Sequence, residues 1–348
     1  MSKSVIVVGG GIVGCLTALQ LVEHGCQVTL VERNQVAAQT SGESSWAGAG
    51  ILFPLLPWMY KDAVNQLAMA GAALYPALCE RLLTETGIDP EYTQSGMQIL
   101  LTFDEKAALD WCESYQIPTQ QNSKGLFLPT IAQVRPPNLL QALRKNLLQK
   151  GVTLLEHTQL EPLANITKID GWKANNHAVL RADDFVVTSG AWSFDLLKNT
   201  TANLDIKPMR GQILLYENVA ELPKNIIYQN GFYLVPRRDG LLLAGSTLED
   251  VGFDTNTTEM MRQQLQQKAE QILPSLKHAS VIKHWSGLRP GTPDNLPTIA
   301  QHPSIKNLYL NTGHFRYGLT MAPASAQLVA ALILGERPQI DKAPYSAK

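Results

Sequence analysis

Apolar positions along the chain follow two rhythms. At the N-terminus an apolar run, Val5–Val8, leads through a glycine loop and a helical pattern to a second run, Val28–Val31, which ends on Glu32. Short apolar runs flanking a helical period predict strands in a β-α-β unit. Residues 62–87 place Val64, Leu67, Ala68, Leu74, Leu78 and Leu82 on one helical face, with Gly87 as the stop. A strand is expected at Gly96–Phe103, a short helix at 104–115 opened by Asp104, and a short strand at Gly125–Pro129. A helix at 138–150, capped by Asn138 and ended by Gly151, feeds the strand Val152–Glu156. A buried strand, Arg181–Ser189, runs into the turn at Gly190. From 204 to 250 the rhythm changes. Short runs at Ile213–Tyr216, Ile226–Tyr228, Phe232–Pro236 and Leu241–Gly245, divided by proline and Arg-Asp-Gly turns, predict a largely antiparallel sheet. A helix at 257–272, a strand from Leu308 and an apolar helix at 321–334 complete the pattern.

The β-α rhythm thus occupies both ends and a middle block, with the antiparallel strands interleaved. The expected fold is α/β (α+β mixed). A Rossmann-type dinucleotide-binding domain would be built from 1–85, 140–200 and 286–348. The substrate-binding domain would take 86–139 and 201–285. No internal repeat or low-complexity linker is visible.

The loop between the first two elements carries the most specific chemistry. It reads Gly9-x-Gly11-x-x-Gly14. Gly9 allows the tight turn, Gly11 lets backbone approach a pyrophosphate, and Gly14 lets the helix press on the sheet. The pyrophosphate then meets the helix N-terminus, where free N–H groups and the dipole favour negative charge. Glu32 can accept hydrogen bonds from an adenosine ribose and would repel a 2′-phosphate. The motif alone leaves FAD and NAD open, and its place at the N-terminus favours FAD.

Composition narrows the classes. The chain has 348 residues, 45% hydrophobic and 17% charged, enough for a sizeable core and too apolar for disorder. Its net charge is −1 and no Lys/Arg run is longer than the pair Arg237-Arg238, so it lacks a nucleic-acid footprint. Cys15, Cys26, Cys79 and Cys112 show no C-x-x-C spacing and read as buried thiols of a reduced compartment. Cys15 follows the glycine loop, where a helix N-terminus can acidify a thiol, but a packed thiol is the simpler expectation. Val5 already belongs to the fold, and the apolar stretches Ala47–Tyr60 and Leu319–Leu334 are proline-bearing and shorter than the ~20 residues of a spanning helix. A cytoplasmic protein without stable membrane insertion is expected. Its oligomeric state stays open, a homo-oligomer included.

Four segments together resemble the D-amino-acid-oxidase family of flavoenzymes, particularly its glycine oxidase branch. They are the N-terminal fingerprint, Thr40-Ser-Gly-Glu-Ser-Ser-Trp-Ala-Gly-Ala-Gly-Ile-Leu52, Ser286-Gly-Leu-Arg-Pro-Gly-Thr-Pro-Asp294 and Gly313-His-Phe-Arg-Tyr-Gly-Leu319, and they span the chain. The resemblance implies non-covalent FAD and oxidation of an amine α to a carboxylate. Hydride would pass from Cα to flavin N5, the imino acid would hydrolyse to a 2-oxo acid and ammonia, and O2 would reoxidise the flavin to give H2O2. In some bacteria this branch supplies the imine of glycine for thiamine biosynthesis. Matching positions imply that Arg289 holds the substrate carboxylate as a bidentate fork. Tyr233 would add a hydroxyl bond, and Arg316 would put positive charge near substrate and flavin. Cofactor contacts are implied for Gly9, Gly11, Ile12, Val13, Gly14, Glu32, Arg33, Thr40, Ser41, Ser45, Ala49, Gly50, Ile51 and Leu160. The same is implied for Gly190, Trp192, His314, Arg316, Tyr317, Gly318, Leu319 and Thr320. Some relatives attach the flavin through a cysteine near the Gly-Leu-Arg-Pro segment, and no cysteine follows Cys112 here. No metal site is expected.

The chain departs from the better-known glycine oxidase pattern at Gly231, where a histidine can stand, and at Leu248, where a methionine can stand. Trp58, Met59 and Tyr60 are further candidates for the pocket wall. The alternative within the fold is a D-amino-acid dehydrogenase that passes electrons to a membrane quinone. An RNA-modifying module and an NAD-linked dehydrogenase compete from other classes. Near-neutral charge disfavours the former, and a yellow holoprotein would exclude the latter.

Overall fold

A computed structural model describes residues 2–39, 42–101 and 103–347. Among the described residues the first sheet has six strands. In spatial order they are Thr298–Gln301, Leu308–Thr312, Asp184–Val187, Ser4–Val8, Gln27–Val31 and Thr153–Leu155. All neighbours run parallel except the Thr298–Gln301 edge. The two-residue period divides Ser4–Val8 between its faces. Val5 and Val7 join the core formed with helices Ile12–Glu23, Asp62–Thr86, Pro136–Gln149 and Gly318–Leu334. Ile6 and Val8 join a second core with Leu160, Trp172 and Phe185. A parallel sheet covered on both faces is what continuous apolar runs require.

The second sheet has nine strands, in the order Gly42–Glu43, Ser280–Gly291, Lys207–Glu217, Leu242–Gly245, Phe232–Pro236, Ile226–Gln229, Met97–Leu100, Gly125–Leu128 and Gln120–Asn122. It is mostly antiparallel, with parallel pairs at Ile226–Gln229 against Met97–Leu100 and at Ser280–Gly291 against Gly42–Glu43. Helix Glu259–Ile272 covers one face, setting Leu265 and Ala269 on Leu214, Leu234 and Leu242. Ser280–Gly291, the longest strand, was not expected as a strand. Its register pairs Met209 with Arg289 and Gly211 with Gly287. Residues 286–291, expected with the dinucleotide-binding domain, therefore lie in this sheet.

The strand expected at Gly96–Phe103 is Met97–Leu100, with residue 102 outside the described residues, and the one expected at Ile213–Tyr216 runs over Lys207–Glu217. Helix Pro136–Gln149 begins two residues before Asn138, with Pro136 in its first turn, where the absent N–H costs nothing. Asn138 is not its cap. Its side chain donates to Asp89 O and to Glu91 Oε1. The last helix begins at Gly318 and contains Pro323. Pro323 lacks the N–H that would pair with Leu319 O, and the buried Tyr75 hydroxyl donates to that carbonyl at 2.6 Å instead. Phe315–Leu334 is 20 residues long with mean hydropathy 1.5, long and apolar enough to cross a membrane by length and composition. Of its most apolar 18-residue window, 67% is buried inside the protein, packed on helices Ile12–Glu23 and Asp62–Thr86.

Candidate active site

Two adjoining cavities, about 170 and 200 Å³, form one elongated cleft and share Gly11, Ser44, Ser45, Thr188 and Gly190. The glycine loop lies at their junction. Gly9 has φ +114°, and a Cβ on Gly14 would stand 1.8 Å from Gly9 O, so strand and helix approach as closely as the fingerprint demands. Gly14 serves that packing and does not line the cleft. Helix Ile12–Glu23 has no acidic residue in its first turn and no side-chain cap on Gly11. Its positive end is left for an anion, with Ile12 N donating to Ser45 Oγ at 3.0 Å.

One end of the cleft is walled by Glu32, Arg33, Leu160 and Trp192. Glu32 accepts from Gly10 N at 2.7 Å and Asn34 N at 2.9 Å, which anchors its carboxylate at the rim. Arg33 lies 3.7 Å over the Trp192 ring, and Phe253 stacks on the same ring at 5.6 Å. The other end is walled by Ile12, Val13, Ala49, Gly50, Ile51, Tyr233, Arg289, His314, Arg316, Tyr317, Gly318, Leu319 and Thr320. His314 is buried, its Nε2 has no hydrogen-bond partner, and burial lowers its pKa to about 3. A neutral imidazole aimed into the cleft fits a polar ring system. Fingerprint, orphan nitrogen and the two adjoining cavities together suit FAD. Thr40 and Ser41 lie outside the described residues.

Arg289 projects from Ser280–Gly291 over Gly211 on the neighbouring strand. A Cβ at 211 would fall 1.9 Å from Arg289 Nη1, so only glycine leaves room for the guanidinium. Arg289 donates to Ser246 Oγ at 2.8 Å and Thr247 O at 3.2 Å. Burial pushes its pKa down from the ordinary arginine value, opposed by the neighbouring Tyr233 hydroxyl. Among the described residues neither Arg289 nor Arg316 has an ion pair. A half-buried guanidinium held only by neutral acceptors is a receptor for an anion. Arg316 is exposed at the same wall, 5.2 Å from the Phe315 ring centroid.

The structure separates candidates that looked alike in sequence. Tyr60 lines the cleft and meets Tyr317 edge-on at 5.3 Å, whereas Trp58 packs on Phe103 and Met59 is 71% exposed. Gly231 lines the pocket and a Cβ there would meet nothing within 4 Å, while Leu248 is 43% exposed and lies off the wall. Arg237 is buried but donates to Ala49 O, Gln133 Oε1 and Val134 O, which ties down the 47–51 loop. Cys15 donates to Gly10 O, and burial pushes its pKa to about 12, so it is an inert packed thiol. Tyr228, Ser246, Asn311 and Thr312 line the cleft without having been anticipated. They stand among ordinary strand and turn residues, and only their convergence marks them. No cluster of potential metal ligands occurs among the described residues.

A family model described as FAD dependent oxidoreductase matches residues 4–332, and the chain belongs to that family. Among its relatives, the glycine oxidase of Pseudomonas putida is 39% identical over 364 residues, covering 99% of this chain and 98% of that protein. The glycine oxidase of Pseudomonas aeruginosa is 38% identical over 371 residues, covering 99% of each. The crystal structure of glycine oxidase from Geobacillus kaustophilus matches with TM-score 0.90 at 26% identity, covering 100% of this chain and 99% of that one.

Proposed function

We propose that this protein carries out FAD-dependent oxidative deamination of glycine or small D-amino acids. The observation that carries the reading is Arg289, a half-buried cation without an acid partner on the wall of the dinucleotide cleft. An α-amino acid supplies the missing carboxylate, and the planar fork fixes it through two charge-assisted bonds. The Tyr233 hydroxyl beside the guanidinium offers a further donor to the same carboxylate. Arg316 adds positive charge at the mouth and draws in an anionic substrate. When bound, FAD supplies the hydride acceptor for the substrate Cα–H and passes the electrons to O2, giving H2O2. The protein's part is alignment, worth several decades in rate, because hydride transfer demands a fixed approach of Cα–H. Tyr60, Tyr228 and Tyr233 wall the substrate side, and Gly231 leaves a small open space. The imino acid leaves for hydrolysis to a 2-oxo acid and ammonia.

A fixed fork and one open face admit a single orientation of Cα–H, so D-alanine should react and L-alanine should fail. O2 as acceptor is supported by two relatives named glycine oxidase at 38% and 39% identity, and nothing in the cleft favours the quinone-linked alternative. The test is peroxide release by purified, FAD-loaded protein in air with glycine, sarcosine, D-alanine, D-proline and L-alanine. Turnover without peroxide would remove the oxidase reading. Comparable rates on both alanines would remove the stereochemical one.

A further inference from the structure

We propose that Glu249 is the positioning residue for the Arg289 guanidinium, acting through Thr247 and held in turn by the buried Arg210. The inference rests on the reading of Arg289 as the carboxylate anchor.

Arg289 is oriented by two neutral acceptors, Ser246 Oγ and Thr247 O. Both belong to the segment that leaves strand Leu242–Gly245, so the aim of the fork depends on what fixes that segment. Glu249 does so. Its carboxylate accepts from Thr247 Oγ1 at 2.6 Å, from Gln212 Nε2 at 2.9 and 3.2 Å, and from Arg210 Nη2 at 2.8 Å. Thr247 Oγ1 also accepts from Gln212 N at 2.8 Å. Backbone bonds of 2.9 Å in both directions join Arg210 and Glu249. Arg210 is 3% exposed and reaches past Glu249 to Asp254 Oδ2 at 2.6 Å and Asn256 O at 2.8 Å. With Thr247 N donating to Gln212 O at 3.2 Å, every polar atom of Thr247 has a partner, and its carbonyl accepts from Arg289.

The placement of charge explains the arrangement. An acid in direct contact with Arg289 would hold the guanidinium equally well but would compete with the substrate carboxylate for it. Set one residue back, Glu249 fixes the geometry and lends negative potential that keeps the fork protonated, while no acid among the described residues touches the guanidinium itself. Burial alone would raise the Glu249 pKa. The bonds from Arg210, Thr247 and Gln212 hold it below the ordinary carboxylate range, so it stays charged.

The test compares Glu249→Gln, Thr247→Val, Arg289→Lys and the Glu249→Gln/Arg289→Lys double variant as FAD-loaded proteins. The readouts are the Kd of acetate, from its perturbation of the flavin absorption band, the glycine KM and kcat, and flavin content. For Glu249→Gln, acetate Kd and glycine KM should rise about tenfold, with kcat within about threefold and flavin retained. Thr247→Val, which removes only the hydroxyl link, should move both the same way by about threefold. In the Arg289→Lys background the Glu249→Gln change should add less than about twofold, since the two act as a unit. An unchanged acetate Kd in both single variants, a fall in kcat at constant KM, or full additivity with Arg289→Lys would overturn the proposal. If Glu249→Gln does not fold, Thr247→Val decides. Acetate binding indifferent to Arg289→Lys itself would instead remove the anchor reading, and this inference with it.

Discussion

Gly211→Ala perturbs the site through one methyl group. The backbone at 211 is not in the left-handed region, so alanine meets no conformational strain. Its Cβ would stand 1.9 Å from Arg289 Nη1, 2.4 Å from Cζ and 2.5 Å from Nη2. Ordinary contact is about 3.5 Å, so the guanidinium must retreat by about 1.5 Å. The displaced atoms end a flexible side chain, so the folding cost should be only about 1 kcal/mol, or ~1–2 °C in Tm. The catalytic cost should be much larger, because a misplacement of about 1 Å in a positioning group can remove about two decades in rate. That corresponds to about 2.7 kcal/mol in kcat/KM. The assay is a glycine titration with peroxide readout, alongside flavin absorbance and thermal unfolding. The expected variant is yellow, folded and about a hundredfold weaker in kcat/KM. A kcat/KM within threefold of wild type would refute the link between the glycine, the fork and the substrate.

Replacing Arg289 with alanine should lower kcat/KM by about two to four decades by leaving the bound carboxylate unpaired in a dry site, and lysine should restore only part, which a substrate titration of both variants measures. FAD should be released completely by acid precipitation, since no cysteine follows Cys112, and flavin retained in the pellet would contradict non-covalent binding. His314 is buried with its pKa lowered to about 3, against about 6.5 unfolded. Below pH 6.5 the unfolded chain takes up a proton that the folded one refuses, so stability should fall as pH drops from 6.5 towards 3. In His314→Asn that slope should flatten, as followed by urea unfolding at successive pH values.

Much of this molecule follows from local order in the sequence. A strand, its turn and the helix behind it lie within about thirty residues, so period, glycine spacing and the terminal Glu32 suffice to predict the nucleotide-binding unit and the phosphate end of its cleft. The antiparallel strands between Ile213 and Gly245 were legible for the same reason, being short runs closed by strong turns, although the first of them begins earlier, at Lys207. Ser280–Gly291 was not. Its polar and apolar residues do not alternate, it contains glycine and proline, and it becomes a strand only by pairing along Lys207–Glu217. The division of labour among arginines also lay beyond the sequence. Arg237 and Arg289 are both set near proline and glycine, yet one ties down the 47–51 loop while the other meets Ser246 Oγ and Thr247 O on the wall of the cleft. What separates them is which neighbours approach in space. Gly211 and Gly231 are a similar pair, one against a guanidinium and one facing open space. Hydrophobic period and turn chemistry act between residues close in the chain and so can be read from it. The cleft is assembled from segments as far apart as Gly11 and Thr320, and its charge balance exists only once two sheets have folded around it.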